Sequence, residues 1–181
     1  MFDSQSPDQS QRPPKAVPVS HLAREAKWAI DTPRSYLVPV LLWFTSGQGR
    51  FNIDGEMHGY TAHNAIFLPA NTAHACEACG RTQGTALFLG PRADLPVPAQ
   101  TVHLRLTSLM QQTEMNDLVE GFRRDCAAGG PFATESLYHR AALIGLCLSR
   151  QMLRLGLNPA LPKSTAQPDF GTLRRSADHG S

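Results

Sequence analysis

The sequence predicts a mainly β domain, a small barrel or sandwich, followed by two packed helices. Three observations carry this. Between residues 37 and 89, short apolar, β-prone runs alternate with tight-turn signals. After Pro91, Pro96 and Pro98 the hydrophobic period lengthens from two to about 3.6. Gly129-Gly130-Pro131 then breaks the helical pattern into two parts joined by a short turn, the sequence form of an antiparallel helix hairpin.

The chain is organised around GQGRFNIDGEMHGYTAHNAIFLPANTAH, residues 47–74. Gly47 and Gly49 follow an apolar run. Asp54-Gly55 lies between two alternating segments and marks a two-residue hairpin, because both turn positions need a positive φ. Pro69 closes the run Ala65, Ile66, Phe67, Leu68. Strands are expected over 37–44, 50–53, 56–60, 65–68, 73–77 and 85–89. Pro39 lacks an amide donor and belongs at an edge or a bulge.

One helix is expected over 104–126, with Leu106, Leu109, Met110, Leu118, Val119 and Phe122 on one face. A second is expected over 134–155, carrying Leu137, Ala141, Ile144, Leu148, Met152 and Leu155 at steps of three and four. Arg150 and Arg154 suit the negative end of its dipole. A further stripe with Leu143, Cys147 and Leu153 leaves apolar surface for another subunit. A homodimer is therefore expected through Leu106, Met110, Leu118, Phe122, Leu143, Cys147 and Leu153. The expected divisions are a flexible arm over 1–20, the barrel over 21–100, the helix hairpin over 101–156 and a flexible tail over 157–181.

Several function classes lose support. The longest apolar run, 37–44, falls far short of the roughly 20 residues that a membrane-spanning helix needs. The first residues have no apolar signal-peptide core, so a cytoplasmic location with free thiols is expected for the four cysteines. Seventeen basic against 15 acidic residues give a net charge of +2, little of the attraction that nucleic-acid binding draws on. Gly47-Gln48-Gly49 lacks the later glycine, helix and lysine of a phosphate-cradling loop.

In order and spacing, LLWFTSGQGRFNIDG, the G-Y-x-x-H-N-A-I-F-L-P-A segment, the proline-rich exit and the paired helices resemble the cupin-type N-terminal domain of AraC-family transcription regulators, over about 28–155. The resemblance implies a cupin-like (jelly-roll) β-barrel that receives a small-molecule effector, and helices that hold two subunits together. In that family a helix-turn-helix segment follows and contacts DNA. Residues 157–181 carry three prolines and no helical period, and Arg174-Arg175 is too small a basic patch to replace one. DNA contact is thus expected only through a segment absent from this chain, which reads as a truncated regulator or a stand-alone sensor.

Metal-dependent cupins imply a second reading, with two histidines and a glutamate on one segment and a third histidine after a proline-led turn. Pro69, Asn71 and His74 match the second part. The first fails, since the histidines would fall near Arg34 and Tyr36 and the glutamate near Val40. No metal, no cofactor and no catalytic residue is therefore expected. His74, Cys76 and Cys79 suit zinc in ligand type, but strand alternation sends Cys79 to the other face. The effector site is expected to draw on Arg34, Tyr36, Trp43, His63, Asn64 and His74, aromatic walls with a few aimed polar groups, while Trp43 also suits the core. His58, Tyr60, His63 and Asn64 form a polar cluster beside the hairpin. The alternatives are a small metal-dependent cupin enzyme, an isomerase or dioxygenase, and an interaction protein that forms mixed dimers with a full-length regulator.

Overall fold

The computed structural model describes residues 13–161. In chain order the elements are β1 (Lys15–Pro18), α1 (Val19–Glu25), β2 (Val40–Ile53), β3 (Glu56–Tyr60), β4 (Asn64–Leu68), β5 (His74–Phe88), β6 (Val102–Arg105), α2 (Leu109–Ala128) and α3 (Ala133–Arg154). The fold is mainly β with two C-terminal helices, as the sequence predicts. All its strand pairs are antiparallel, in the order β1-β5-β2-β4-β6, with β3 on the second half of β2.

Two long strands explain the shape. β2 pairs with β5 along nearly its whole length, but the register slips between Phe44 and Ser46 and again between Ser46 and Gln48. Gly47 sits there at φ 89°, and a Cβ would strike the Arg81 carbonyl. Before the bulge, Val40, Leu42 and Phe44 share one core with Val19, Leu22 and Ile66. After it, Phe51 and Ile53 join the same core. The inward set passes from even to odd numbers, so the two halves of the sheet turn the same face toward each other. The sheet folds over on itself around this core, and Phe44 stacks on Tyr60 with centroids 3.9 Å apart.

Closure is where the structure departs from the expected barrel. No ladder joins β3 to β6 among the described residues, and His58 and His103 face each other across the gap with centroids 6.4 Å apart. The hairpin between β2 and β3 is as expected: Asp54 has φ 52° and Gly55 φ 84°, and the Gly55 amide donates to Asn52 Oδ1 at 3.1 Å.

The opposite face of the sheet carries the helices. Leu41, Trp43, Phe67, Leu87, Val102 and Leu104 pack against Met115, Phe122, Ile144 and Leu148. Ser108 caps α2 with a full capping box to Gln111. Asp125 accepts from Ser136 and Arg140 at 2.5 Å each, and Arg150 donates to Glu114, which fixes α2 against α3.

Three sequence expectations are corrected. The first helix begins at Leu109, because residues 102–106 alternate with Val102, Leu104 and Leu106 buried and His103 and Arg105 turned away, and Val102–Arg105 form β6. The two strands expected over 73–77 and 85–89 are the two ends of one strand, β5, since β2 pairs with it on both sides of the bulge. The arm is not free through residue 20: Lys15 to Pro18 pair with Phe88 to Thr85, and Val19 is fully buried. Residues 1–12 of the arm and 162–181 of the tail lie outside the described residues. The tail's beginning is fastened, with the Ala99 amide donating to the Pro159 carbonyl at 3.0 Å.

Candidate functional site

The structure brings Arg34, Tyr36 and His74 together at one end of the inner core. Arg34 and His74 exchange backbone hydrogen bonds, which sets the segment before β2 against the start of β5. The Tyr36 ring lies 5.3 Å from the His74 ring and meets Phe88 edge-on at 5.1 Å. The Asn71 amide, at φ 63°, donates to the Tyr36 carbonyl at 2.7 Å, so the proline-led corner holds the tyrosine segment in place. The Arg34 guanidinium donates to the Ala26 carbonyl at the end of α1.

His74 is buried, at 4% exposure, and its Nδ1 lies 3.0 Å from the Thr72 carbonyl. A carbonyl only accepts, so Nδ1 carries the proton and Nε2 keeps its lone pair. Burial lowers its pKa, and the nearby Arg34 charge lowers it further against the Thr72 bond. The neutral imidazole is the form this environment favours. Burial raises the Tyr36 phenol, with Arg34 opposing, and pushes the Cys76 thiol up to about 12. These groups are held neutral around one half-buried cation.

Tyr36 and Phe88 also wall a cavity of about 110 Å³, completed by Pro13, Lys15, Leu22, Val38 and Gly90. Its walls come from β1, α1 and the inner face of the sheet. Lys15 Nζ stands 4.8 Å from the Phe88 ring centroid. The sequence places Lys15, Val17 and Val19 in an arm able to fold over a filled pocket, but does not single out Leu22, Val38 or Phe88 as site residues. The short apolar run Ala16, Val17, Pro18, Val19 was the available signal, set beside a Pro-, Ser- and Gln-rich stretch.

Trp43, His63 and Asn64 lie elsewhere. Trp43 faces the helices and donates from Nε1 to Asn116 Oδ1 at 2.9 Å. His63 sits at φ 62° with its backbone tied to Phe44 and Leu106, its ring 6.2 Å from that of Trp43. Asn64 is buried; its amide donates to Ala62 and Thr61, leaving Oδ1 to accept from His103 Nε2 at 2.7 Å. These three residues do not join Arg34, Tyr36 and His74. The polar cluster expected beside the hairpin is also divided: Tyr60 is buried against Phe44, while the His58 ring stacks on Phe51 at 5.1 Å. His103 was not anticipated. It faces Phe51 edge-on at 5.0 Å, and burial with Arg105 and His58 pushes its pKa down to about 4.

Among the described residues, no three His, Cys, Asp or Glu side chains converge to hold a metal ion. Cys76 is buried and Cys79 exposed, which separates the thiols of the His74, Cys76, Cys79 set. No helix among the described residues is long and apolar enough to cross a membrane.

The expected dimer residues divide by burial. Leu106, Phe122 and Cys147 are core residues under the helices and are not free to meet a partner. Leu118 is partly buried. Met110, Leu143 and Leu153 are exposed, as are Leu109 and Leu146. The Gln111–Gln151 and Glu114–Arg150 contacts set Leu109 and Met110 at the same end of the hairpin as Leu153.

No protein-family model matches the chain, and no curated protein matches it in sequence. Among solved structures it is similar to a cupin 2 conserved barrel domain protein from Leptotrichia buccalis, at 26% identity over 33% of this chain and 30% of that one, TM-score 0.28. It is similar to apo ToxT from Vibrio cholerae, at 8% identity over 86% of this chain and 61% of that one, TM-score 0.49. It is also similar to a cadmium-containing acireductone dioxygenase from Bacillus anthracis, at 15% identity over 42% of this chain and 49% of that one, TM-score 0.32. The chain thus spans less than two thirds of each of these three proteins.

Proposed function

We propose that this chain is the effector-sensing and dimerisation part of an AraC-type transcription regulator, binding a small molecule in a metal-free cupin-type fold. The observation that carries the reading is the cavity walled jointly by β1, α1 and the sheet. A molecule held there touches the N-terminal elements and the core at once. It can therefore bias one arrangement of the arm over another, which is what sensing requires. Tyr36 links the cavity to His74 and Arg34, and Arg34 links it back to α1 through the Ala26 carbonyl.

In this reading the exposed leucines of α3 form the surface for a second copy, and DNA recognition belongs to a separate helix-turn-helix unit. No residue is assigned a catalytic role. The test is a thermal-shift screen of small organic molecules against the chain and its Val38→Phe variant, which fills the cavity. A molecule that stabilises the chain but not the variant, and that changes its sedimentation, supports the reading. Stabilisation that persists in the variant contradicts it.

A further inference from the structure

We propose that the cavity between β1, α1 and the end of β5 takes an organic anion, a carboxylate on a short apolar chain, a claim that rests on reading this cavity as the effector site. Its walls are apolar, with Leu22, Val38 and Phe88 as the main surfaces, and Lys15 is the charged side chain among the residues that line it.

Two cations flank the Tyr36 and Phe88 rings without a carboxylate. Lys15 lies over the Phe88 face, and among the described residues it makes no ion pair. Arg34 is half-buried, and its guanidinium donates to a neutral carbonyl at Ala26. The neighbouring titratable groups are His74, Tyr36 and Cys76, whose surroundings favour their neutral forms. The positive charge at this end of the core is therefore not cancelled from within the described residues. Lys15 is exposed, and a carboxylate beside it would gain a charge-assisted hydrogen bond, stronger than one between neutral groups. A neutral molecule of the same shape would gain only the apolar contact, and an ammonium would be repelled.

Size narrows the class. The cavity, at about 110 Å³, is smaller than the roughly 150 Å³ space that admits benzene. An unbranched chain suits it better than a substituted ring.

The test is calorimetric titration of the full chain with hexanoate and with hexan-1-ol, which share a chain and differ in charge. Hexanoate is expected to bind at least about ten-fold tighter at low salt, with the gap shrinking as salt rises. Lys15→Gln is expected to lower hexanoate affinity about five- to ten-fold and leave the alcohol unchanged, which shows that the variant remains folded. Equal affinity for acid and alcohol, both lost in Val38→Phe, would overturn the anion class and leave the cavity reading standing. Binding of neither probe, or binding untouched by Val38→Phe, would overturn both.

Discussion

The backbones of Arg34 and His74 hold each other by two hydrogen bonds, Arg34 N to His74 O at 2.8 Å and His74 N to Arg34 O at 2.9 Å. A loop segment is thereby built onto the start of β5, and the side chains of Arg34, Tyr36 and His74 are set around one end of the core. His74→Ala leaves this backbone pair in place. It removes the ring from Tyr36 and the Nδ1 bond to Thr72, and should cost about 1–3 kcal/mol in urea unfolding. Ligand affinity should fall with it, because Tyr36 loses its lateral support.

Trp43→Phe separates core from site. The indole faces the helices, and its loss removes the bond to Asn116, at about 0.5–1.5 kcal/mol. Affinity for any cavity ligand should stay unchanged. A drop of more than about three-fold would place Trp43 in the site after all.

Much of this was legible in the sequence and some was not, for physical reasons. Asp54-Gly55 announced its hairpin because a two-residue turn demands positive φ at both positions, and Gly129-Gly130-Pro131 announced the helix break. Trp43 could not be assigned a face, because the inward set changes parity at the Gly47 bulge and a bulge leaves no periodic trace. β6 was hidden because Val102, Leu104 and Leu106 also fit the start of a helical stripe. The cavity residues Lys15 and Leu22 are far in sequence from Phe88, and β1 adding to the edge of β5 brings them to it.

Acid should destabilise the fold through its histidines. The folded-state pKa of His103 is lowered to about 4 from 6.5, so the unfolded chain takes up the proton first. The stability it contributes is present above pH 6.5 and is lost progressively as pH falls toward 4. His74 acts with the same sign. His103→Gln should flatten the fall in melting temperature across this window. A profile as steep as that of the parent chain would refute the assignment.

Gly145 lies where α3 meets the proline-rich connector, and a Cβ there would strike the Pro96 carbonyl. Gly145→Ala should push α3 from the connector and cost about 1–3 kcal/mol despite alanine's better helix propensity. Chemical denaturation reads this directly, and a stabilised variant would show that the connector yields freely.

Leu143, Leu146 and Leu153 occupy one exposed stripe of α3. The proposed dimer predicts that the parent chain sediments as a dimer and that the double variant Leu146→Asp, Leu153→Asp sediments as a monomer at the same concentration, with its melting curve in dilute solution unchanged. Dimerisation that survives both charges would move the interface elsewhere.

The most direct test of the central claim, that the chain holds a small molecule between its N-terminal elements and its sheet, needs no knowledge of the effector. Xenon enters apolar cavities of this kind, and its binding can be followed by NMR at the methyl groups of Leu22 and Val38 as gas pressure rises. The account predicts saturable shifts at these methyls that vanish at Leu22 in Val38→Phe. Saturable shifts centred elsewhere in the core, or none at Leu22 and Val38, would contradict it.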